Sequence, residues 1–179
     1  DISEASVNWS GYYVQDGQKV PMAFEGVTVD LNGRITASGF DQVGEFAISG
    51  NIHPSGSFQM CKQYMGAHAV SYKGAVKQNE LSGRWQLDGM SDNFQISIDT
   101  QEWSGNFDMN MQSYPMKLRL FVDETGVFSL GKDSEGVYVI KGRYDRSTST
   151  LTFIKNYLGK YSIQFIGTMY NDGTYYIVK

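Results

Sequence analysis

The feature that most constrains this chain is an internal repeat, in which residues of the first half return about 94 positions later. Trp9–Gly11 returns as Trp103–Gly105, and Pro21–Met22 returns as Pro115–Met116. The offset then drifts to 93 and 92, as one-residue differences in turns would produce. The later matches pair Gly44–Gly50 with Gly136–Gly142, Lys62–Gly66 with Lys155–Gly159, and Tyr72–Gly74 with Phe165–Gly167. We infer two copies of one unit in tandem.

The boundary between the copies follows from where the second one begins. Ile96–Ser97 lies 94 residues after Ile2–Ser3, so the segment 94–98 is expected to open copy two as the N-terminal residues open copy one. The first copy then spans residues 1–88 and the second spans residues 94–179. The polar, turn-forming residues 88–93 are interpreted as the joint between them.

Short segments of alternating apolar and polar residues, separated by Gly, Asn, Asp and Pro, make up each copy. Met22, Phe24 and Gly26 are expected on one face of such a strand, and Gly50 and Gly142 mark strand centres that bend sharply. One buried and one wet face is typical of antiparallel sheets, and no segment has a sustained helical period. A sheet of seven or eight strands with one apolar face must curl and close or form a sandwich. We therefore predict an all-β fold of two tandem small antiparallel β-barrels with very little helix.

A family resemblance supports this architecture. The tryptophan near the start of each meander, in Trp9–Tyr12 and again in Trp103–Gly105, resembles the opening of calycin-type barrels such as avidins and lipocalins. The resemblance implies calycin-like meanders in which the tryptophan closes one end of the barrel. Those families usually have the order Gly-x-Trp, whereas Gly follows Trp here, so only the architecture is carried over and no ligand-contacting residue.

Two lysines stand on faces that should be apolar. By alternation, Lys62 shares its face with Tyr64, and Lys155 shares its face with Tyr157. One interpretation makes Lys62, Tyr64, Lys155 and Tyr157 ligand-binding residues, with each lysine gripping a ligand carboxylate inside a barrel. The other interpretation, which we favour, is structural: each lysine pairs with the equally repeated Asp41 or Asp133 and runs its stem over apolar surface.

Nothing in the sequence indicates catalysis. Cys61 and the two histidines, His53 and His68, could form a thiol–imidazole pair only if the fold brought them together, and alternation points Cys61 to the wet face. Two His and one Cys also lack the close spacing of a zinc site. The usual phosphate-binding, hydrolase and metalloprotease motifs do not occur. We predict a protein that is not an enzyme and has neither a metal nor a cofactor.

Composition narrows the partners. The formal net charge is −4 and no Lys/Arg stripe is present, so nucleic acid is not expected as a partner. No run approaches the roughly 20 apolar residues of a membrane span. The single cysteine cannot form an internal disulfide, which favours a reducing compartment, and we expect an intracellular, cytoplasmic protein.

Two functions agree with these observations. The first is a non-enzymatic binding or scaffolding module that mediates protein–protein interaction, because a duplicated unit presents two similar surfaces to partner subunits. The alternative is a carrier of a small apolar or amphiphilic ligand inside a barrel. The inward side chains, such as Phe46, Met60 and Tyr72, are large enough to fill a narrow barrel, which favours the first function.

Overall fold

The computed structural model describes residues 8–124, 126–169 and 175–176, with the backbone alone at residues 105, 107, 108, 169, 175 and 176. Every regular element in these ranges is a β-strand, which confirms the predicted all-β fold. Accordingly, the described residues contain no helix that could cross a membrane. The strands are β1 (Trp9–Gln15), β2 (Gln18–Val29), β3 (Arg34–Phe40), β4 (Glu45–Ile52), β5 (Ser57–Tyr64), β6 (Ala69–Lys77), β7 (Glu80–Leu87), β8 (Met90–Ile98), β9 (Gln101–Met109), β10 (Gln112–Val122), β11 (Val127–Asp133), β12 (Gly136–Asp145), β13 (Thr150–Tyr157), β14 (Ser162–Met169) and β15 (Tyr175–Tyr176).

The first half is a closed antiparallel barrel in which each strand pairs with the next and β8 returns to β1. The barrel predicted from the sequence is therefore confirmed for this half. Its register is regular except for a β-bulge between Phe24 and Gly26. Before the bulge the side chain of Met22 points into the barrel, and after it those of Val27 and Val29 do. Gly26 was therefore wrongly assigned to the face of Met22, because the bulge inserts one residue and turns the following side chains over.

Large side chains fill the barrel. Phe46, Tyr72 and Leu81 are no more than 2% exposed, and Phe94 packs edge-on against both Phe58 and Tyr72. Such aromatic pairs prefer edge-to-face geometry, with ring centroids here 5.9 and 4.7 Å apart. The prediction that bulky inward residues fill a narrow barrel is confirmed.

The second half is an open, curled sheet. Strands β9 to β14 form an antiparallel meander, and the two-residue strand β15 pairs with β14 at its edge. The prediction of a second closed barrel is not confirmed for the described residues: β15 at one edge comes close to β9 at the other, but the two strands do not pair as β8 pairs with β1.

The topology also places β8 differently from the sequence interpretation. The segment 94–98, expected to open copy two, instead closes the first barrel by pairing with β1 and β7. Residues 88 and 89 form the hairpin turn before this strand, and the chain passes between the halves at residues 99 and 100. The division of the repeat at residues 88–94 concerns ancestry and stays a prediction, and Ile2–Ser3, on which it depends, lies outside the described residues.

One end of the barrel is capped by the second sheet. Strands β11 and β12 are buried on both faces: one face contributes to the core of the second sheet and the other to the core of the barrel. Phe128 of β11 lies 5.9 Å from Trp9, ring to ring, so this tryptophan is buried where the halves meet. The residues of β11 and β12 that join the barrel core are Phe128, Leu130, Val137 and Val139.

Asn79, in the turn between β6 and β7, fastens this contact. Its side-chain oxygen accepts hydrogen bonds from the Leu130 amide (3.0 Å) and the Ser129 hydroxyl (3.1 Å). Its backbone amide donates to the Leu130 carbonyl (2.7 Å). Strands β10 and β11 pair only at their near ends, and the amide group of Asn79 also reaches the Arg119 carbonyl of β10. Asn79 therefore satisfies backbone groups that the sheet leaves unpaired.

Candidate functional site

Lys62 lies inside the first barrel, as alternation along β5 predicted. Strand β5 has the burial pattern exposed–buried throughout, and Lys62 shares its buried face with Phe58, Met60 and Tyr64. The side chain is fully buried. A buried ammonium group must be paired with a charge and hydrogen-bonded, because its hydration is lost.

Asp41 provides that pairing. Its Oδ2 atom accepts hydrogen bonds from Lys62 Nζ at 2.5 Å and from the Tyr64 hydroxyl at 2.7 Å. The β3–β4 turn holds the carboxylate in place, because its Oδ1 atom accepts a hydrogen bond from the Val43 amide at 2.9 Å. The structural interpretation of Lys62, an ion pair with Asp41, is therefore confirmed.

Aromatic rings and two weaker partners complete the surroundings of Lys62. The ammonium group donates to Met22 Sδ at 3.3 Å and to the Tyr72 hydroxyl at 3.4 Å. It also lies 4.4 Å from the ring centroid of Phe46 and 4.8 Å from that of Tyr13, within the range of cation–π attraction. These contacts replace the hydration shell of the cation.

The pKa shifts follow from burial. Loss of hydration lowers the pKa of Lys62, and the hydrogen bond and charge of Asp41 oppose this shift. Burial raises the pKa of Tyr13, Tyr64 and Tyr72, and the negative charge of Asp41 raises them further. The three phenols therefore remain neutral above the pH at which a free tyrosine ionises.

The second half repeats this cluster with more solvent. Lys155 Nζ and the Tyr157 hydroxyl donate to Asp133 Oδ2 at 2.9 and 2.7 Å. The Lys155 side chain is 13% exposed and that of Asp133 is 36% exposed, against zero for both members of the first pair. Burial alone would raise the pKa of Asp133, but the hydrogen bonds from Tyr157 and Lys155 lower it. The expected pairing of Lys155 with Asp133 is confirmed.

The other end of the barrel, opposite the cap, holds a small open cavity beside the Lys62 cluster. Its volume is about 60 Å³, and it is lined mainly by Tyr13, Tyr64, Tyr72 and Trp85. The Tyr13 hydroxyl is buried and meets no partner at full hydrogen-bond geometry, although Tyr64 and Gln42 lie close enough to influence its pKa. A space of this size admits water molecules, each of which needs at least about 10–15 Å³.

Larger concavities lie on the outer faces of the two halves. We call them the first outer groove, of about 400 Å³, and the second outer groove, of about 420 Å³. The first is lined by Arg34, Ser49–Asn51, Gln59–Cys61, Ser71 and Lys73. The second is lined by Lys141–Arg143, Asp145, Thr148, Thr150, Thr152–Ile154 and Gln164.

The two grooves occupy equivalent positions. Gly50 pairs with Met60 across the first groove, and Gly142 pairs with Phe153 across the second. Cys61 faces Ser71 on the next strand, as Ile154 faces Gln164. A Cβ atom at Gly50 or Gly142 would collide with the backbone of the neighbouring strand, so both positions require glycine for this close approach.

The remaining sequence candidates do not converge on a site. Cys61 is exposed, as predicted, and lies in the first outer groove. His68 packs on the ring of Tyr64 at 5.1 Å, and His53 lies in the turn between β4 and β5. Within the described ranges, no group of His, Cys, Asp and Glu side chains could hold a metal ion.

Sequence reasoning missed the outer grooves and Asn79. The glycines at strand centres indicated close backbone approach, but a concavity on an outer face depends on side chains from three or four strands, which alternation does not locate. Asn79 carried no signal beyond its place in a Gln-Asn turn.

Comparison with protein-family models, with curated proteins and with solved structures found no match to this chain.

Proposed function

We propose that this protein is a non-enzymatic binding module that engages partner proteins through its two outer grooves. The proposal depends on where the empty space lies. The closed barrel contains only a cavity of about 60 Å³ at one end, whereas two concavities of about 400 and 420 Å³ lie on the outer faces. A ligand needs surface that it can reach, and these two concavities provide it. The absence of catalysis and of a cofactor, and a cytoplasmic location, stay predictions.

A duplicated, calycin-like unit is the origin we propose for the two grooves. The lysine, aspartate and tyrosine clusters have the same hydrogen-bond pattern in both halves. The turns that follow them also agree, because the Tyr64 amide donates to the His68 carbonyl as the Tyr157 amide donates to the Tyr161 carbonyl. Two similar surfaces on one chain permit simultaneous contacts, which raises the effective concentration at the second site.

In this proposal the Lys62 and Lys155 clusters stabilise the fold and do not bind a ligand. Lys62 donates hydrogen bonds to Asp41, Tyr72 and Met22, and its side chain has no exposed surface. A ligand carboxylate at Lys62 would have to displace Asp41. The ligand-binding role of Lys62, Tyr64, Lys155 and Tyr157 therefore has less support than their role in fixing the barrel ends.

The alternative, a carrier of an apolar or amphiphilic ligand, has one supporting feature. Met116 and Leu118 are only partly buried on the inner face of the second sheet. Against it, the cavity of about 60 Å³ in the first barrel is far below the roughly 300–1,000 Å³ of small-molecule pockets.

Site-specific photo-crosslinking tests the proposal. A photoreactive amino acid replaces Gln59 in the first outer groove or Thr152 in the second, and each protein is exposed to an extract of its natural source. Lys117, exposed on β10 outside both grooves, is the matched control position.

We expect the same protein to be captured from Gln59 and Thr152 and not from Lys117. Capture from Lys117 alone, or capture that is equal at all three positions, would contradict the proposal. A small molecule that co-purifies with the native protein and protects Met116 from oxidation would favour the carrier instead.

A further inference from the structure

The charges that line the outer grooves differ from those of the whole chain. The first outer groove contains two cations, Arg34 and Lys73, and its lining includes no carboxylate. The second contains Lys141 and Arg143 with one carboxylate, Asp145. The chain as a whole has a net charge of −4. Cations therefore outnumber carboxylates in both linings, whereas carboxylates outnumber cations in the whole chain.

Asp145 does not reverse this balance. Its Oδ1 atom accepts hydrogen bonds from the Ser147 amide at 2.9 Å and from the Ser147 hydroxyl at 2.6 Å. These hydrogen bonds, that of the Ser147 side chain first, lower the pKa of Asp145. Asp145 therefore stays charged while it forms the β12–β13 turn, and the second groove has two cations against one carboxylate.

Neutral hydrogen-bonding groups accompany the cations in both grooves. Asn51 and Gln59 present amides in the first groove. The second groove has the amide of Gln164 and the hydroxyls of Thr150 and Thr152. Amide groups can both donate to and accept from a peptide backbone, whereas Arg and Lys donate to carboxylates. The lining therefore suits a segment that has both carboxylates and peptide groups.

We propose that each outer groove binds an acidic, carboxylate-rich peptide segment of a protein partner. This inference rests on the proposed function and specifies its chemistry. In the first groove the two cations, Arg34 and Lys73, match two carboxylates, and Arg binds a carboxylate through two parallel hydrogen bonds. A nucleic acid would need a longer basic stripe, and the net negative charge of the chain would repel it.

Cys61 provides a direct reporter of the first groove, because it is the only cysteine of the chain and is exposed within this groove. The rate of its alkylation by iodoacetamide, a neutral reagent, is measured as a short peptide of alternating Glu and Ser is added. The matched control peptide has Gln in place of each Glu. The variant C61S/I154C moves the reporter to the equivalent position of the second groove.

We expect the Glu peptide to slow alkylation at Cys61 and, in the variant C61S/I154C, alkylation of the introduced thiol, and we expect the Gln peptide to have little effect. Added salt should reverse the protection, since charges at a surface are screened over about 8 Å at physiological ionic strength. The double variant R34Q/K73Q should weaken binding in the first groove by about tenfold or more, while K117Q should not change it.

Three results would overturn the inference: no protection by the Glu peptide, equal protection by the Gln peptide, or stronger protection by a single-stranded oligonucleotide of equal charge. A partner that photo-crosslinks at Gln59 and Thr152 but has no acidic segment would also overturn it. That last result would leave the proposed function standing, so the two failures are distinguishable.

Discussion

Replacement of Asp41 by Asn tests the electrostatics of the closed barrel. The change removes the negative charge that pairs with Lys62, while the shape of the side chain and its acceptor for the Val43 amide are kept. Both side chains of the pair have zero exposure. Breaking a fully buried pair leaves one charge uncompensated, which costs about 3–5 kcal/mol. We expect a loss of this size in the free energy of unfolding of Asp41→Asn.

The second half supplies the matched control. Asp133→Asn removes the equivalent charge, but the Lys155 side chain is 13% exposed and that of Asp133 is 36% exposed. Water can then solvate the remaining cation, and a loss of about 1 kcal/mol is expected for a pair that solvent reaches. The difference between the two variants, about 2–4 kcal/mol, therefore measures the effect of burial.

A double variant separates the charge from the contacts. Lys62→Met keeps a long side chain among Met22, Phe46 and Tyr72 but removes the ammonium group. Combined with Asp41→Asn, it should recover most of the lost stability, because no unpaired charge remains in the barrel.

Urea unfolding followed by circular dichroism and by tryptophan fluorescence measures each free energy of unfolding. Equal losses in Asp41→Asn and Asp133→Asn would contradict the explanation that the buried charge causes the larger loss. A double variant as unstable as Asp41→Asn alone would refute it as well, because the buried charge would then not be the cause.

Three further predictions concern the capped end, the strand bends and the tyrosines. Asn79→Ala should reduce the free energy of unfolding by about 2 kcal/mol more than Asn110→Ala. Both residues have φ of 53°, but only Asn79 accepts a hydrogen bond from the buried Leu130 amide. Equal losses in urea unfolding would contradict this prediction. Gly50→Ala should lower the melting temperature far more than Gly26→Ala, whose added Cβ has only the Ser38 hydroxyl nearby at 3.8 Å, and equal effects in thermal unfolding would argue against the close approach. The free energy of unfolding should fall as the pH rises above about 10, because phenols with a raised pKa stay protonated in the folded chain while they ionise in the unfolded one. Lys62 has a lowered pKa, so its deprotonation in the folded chain makes the free energy of unfolding rise with pH just below the ordinary value of 10.5. Absorbance at 295 nm should show these tyrosines ionising only on unfolding, and full ionisation in the folded protein would contradict the burial of Tyr13, Tyr64, Tyr72, Tyr138 and Tyr157.

Alternation along the chain was enough to predict the strands, the inward position of Lys62 and its partner Asp41. The side chains of one strand face are fixed by a period of two, and a lysine on an apolar face must find a carboxylate. Matching Asp41 with Asp133 in the repeat then identified the candidate. These parts of the fold depend on local spacing and on one strong electrostatic requirement.

Other parts depend on contacts between distant segments, which a single sequence does not reveal. The segment 94–98 matched the N-terminal residues by repeat position, yet its pairing with β1 and β7 decides that it closes the first barrel. The bulge after Phe24 and the burial of β11 and β12 on both faces also depend on contacts between distant segments. Each outer groove is formed by side chains from several strands at once. The sequence alone therefore indicated only the glycines that permit close approach of neighbouring strands.

Nuclear magnetic resonance of the unmodified protein, titrated with the partner that crosslinking identifies, tests whether ligands bind outside the barrel. The side-chain amides of Asn51, Gln59 and Gln164 report on the outer grooves, and the Trp85 indole, which donates to the Val14 carbonyl at 2.8 Å, reports on the cavity at the open barrel end. We predict that the three amide signals shift when the partner binds while the Trp85 indole signal stays in place. A shift of the Trp85 indole with unchanged amide signals would contradict it, because the ligand would then enter the barrel.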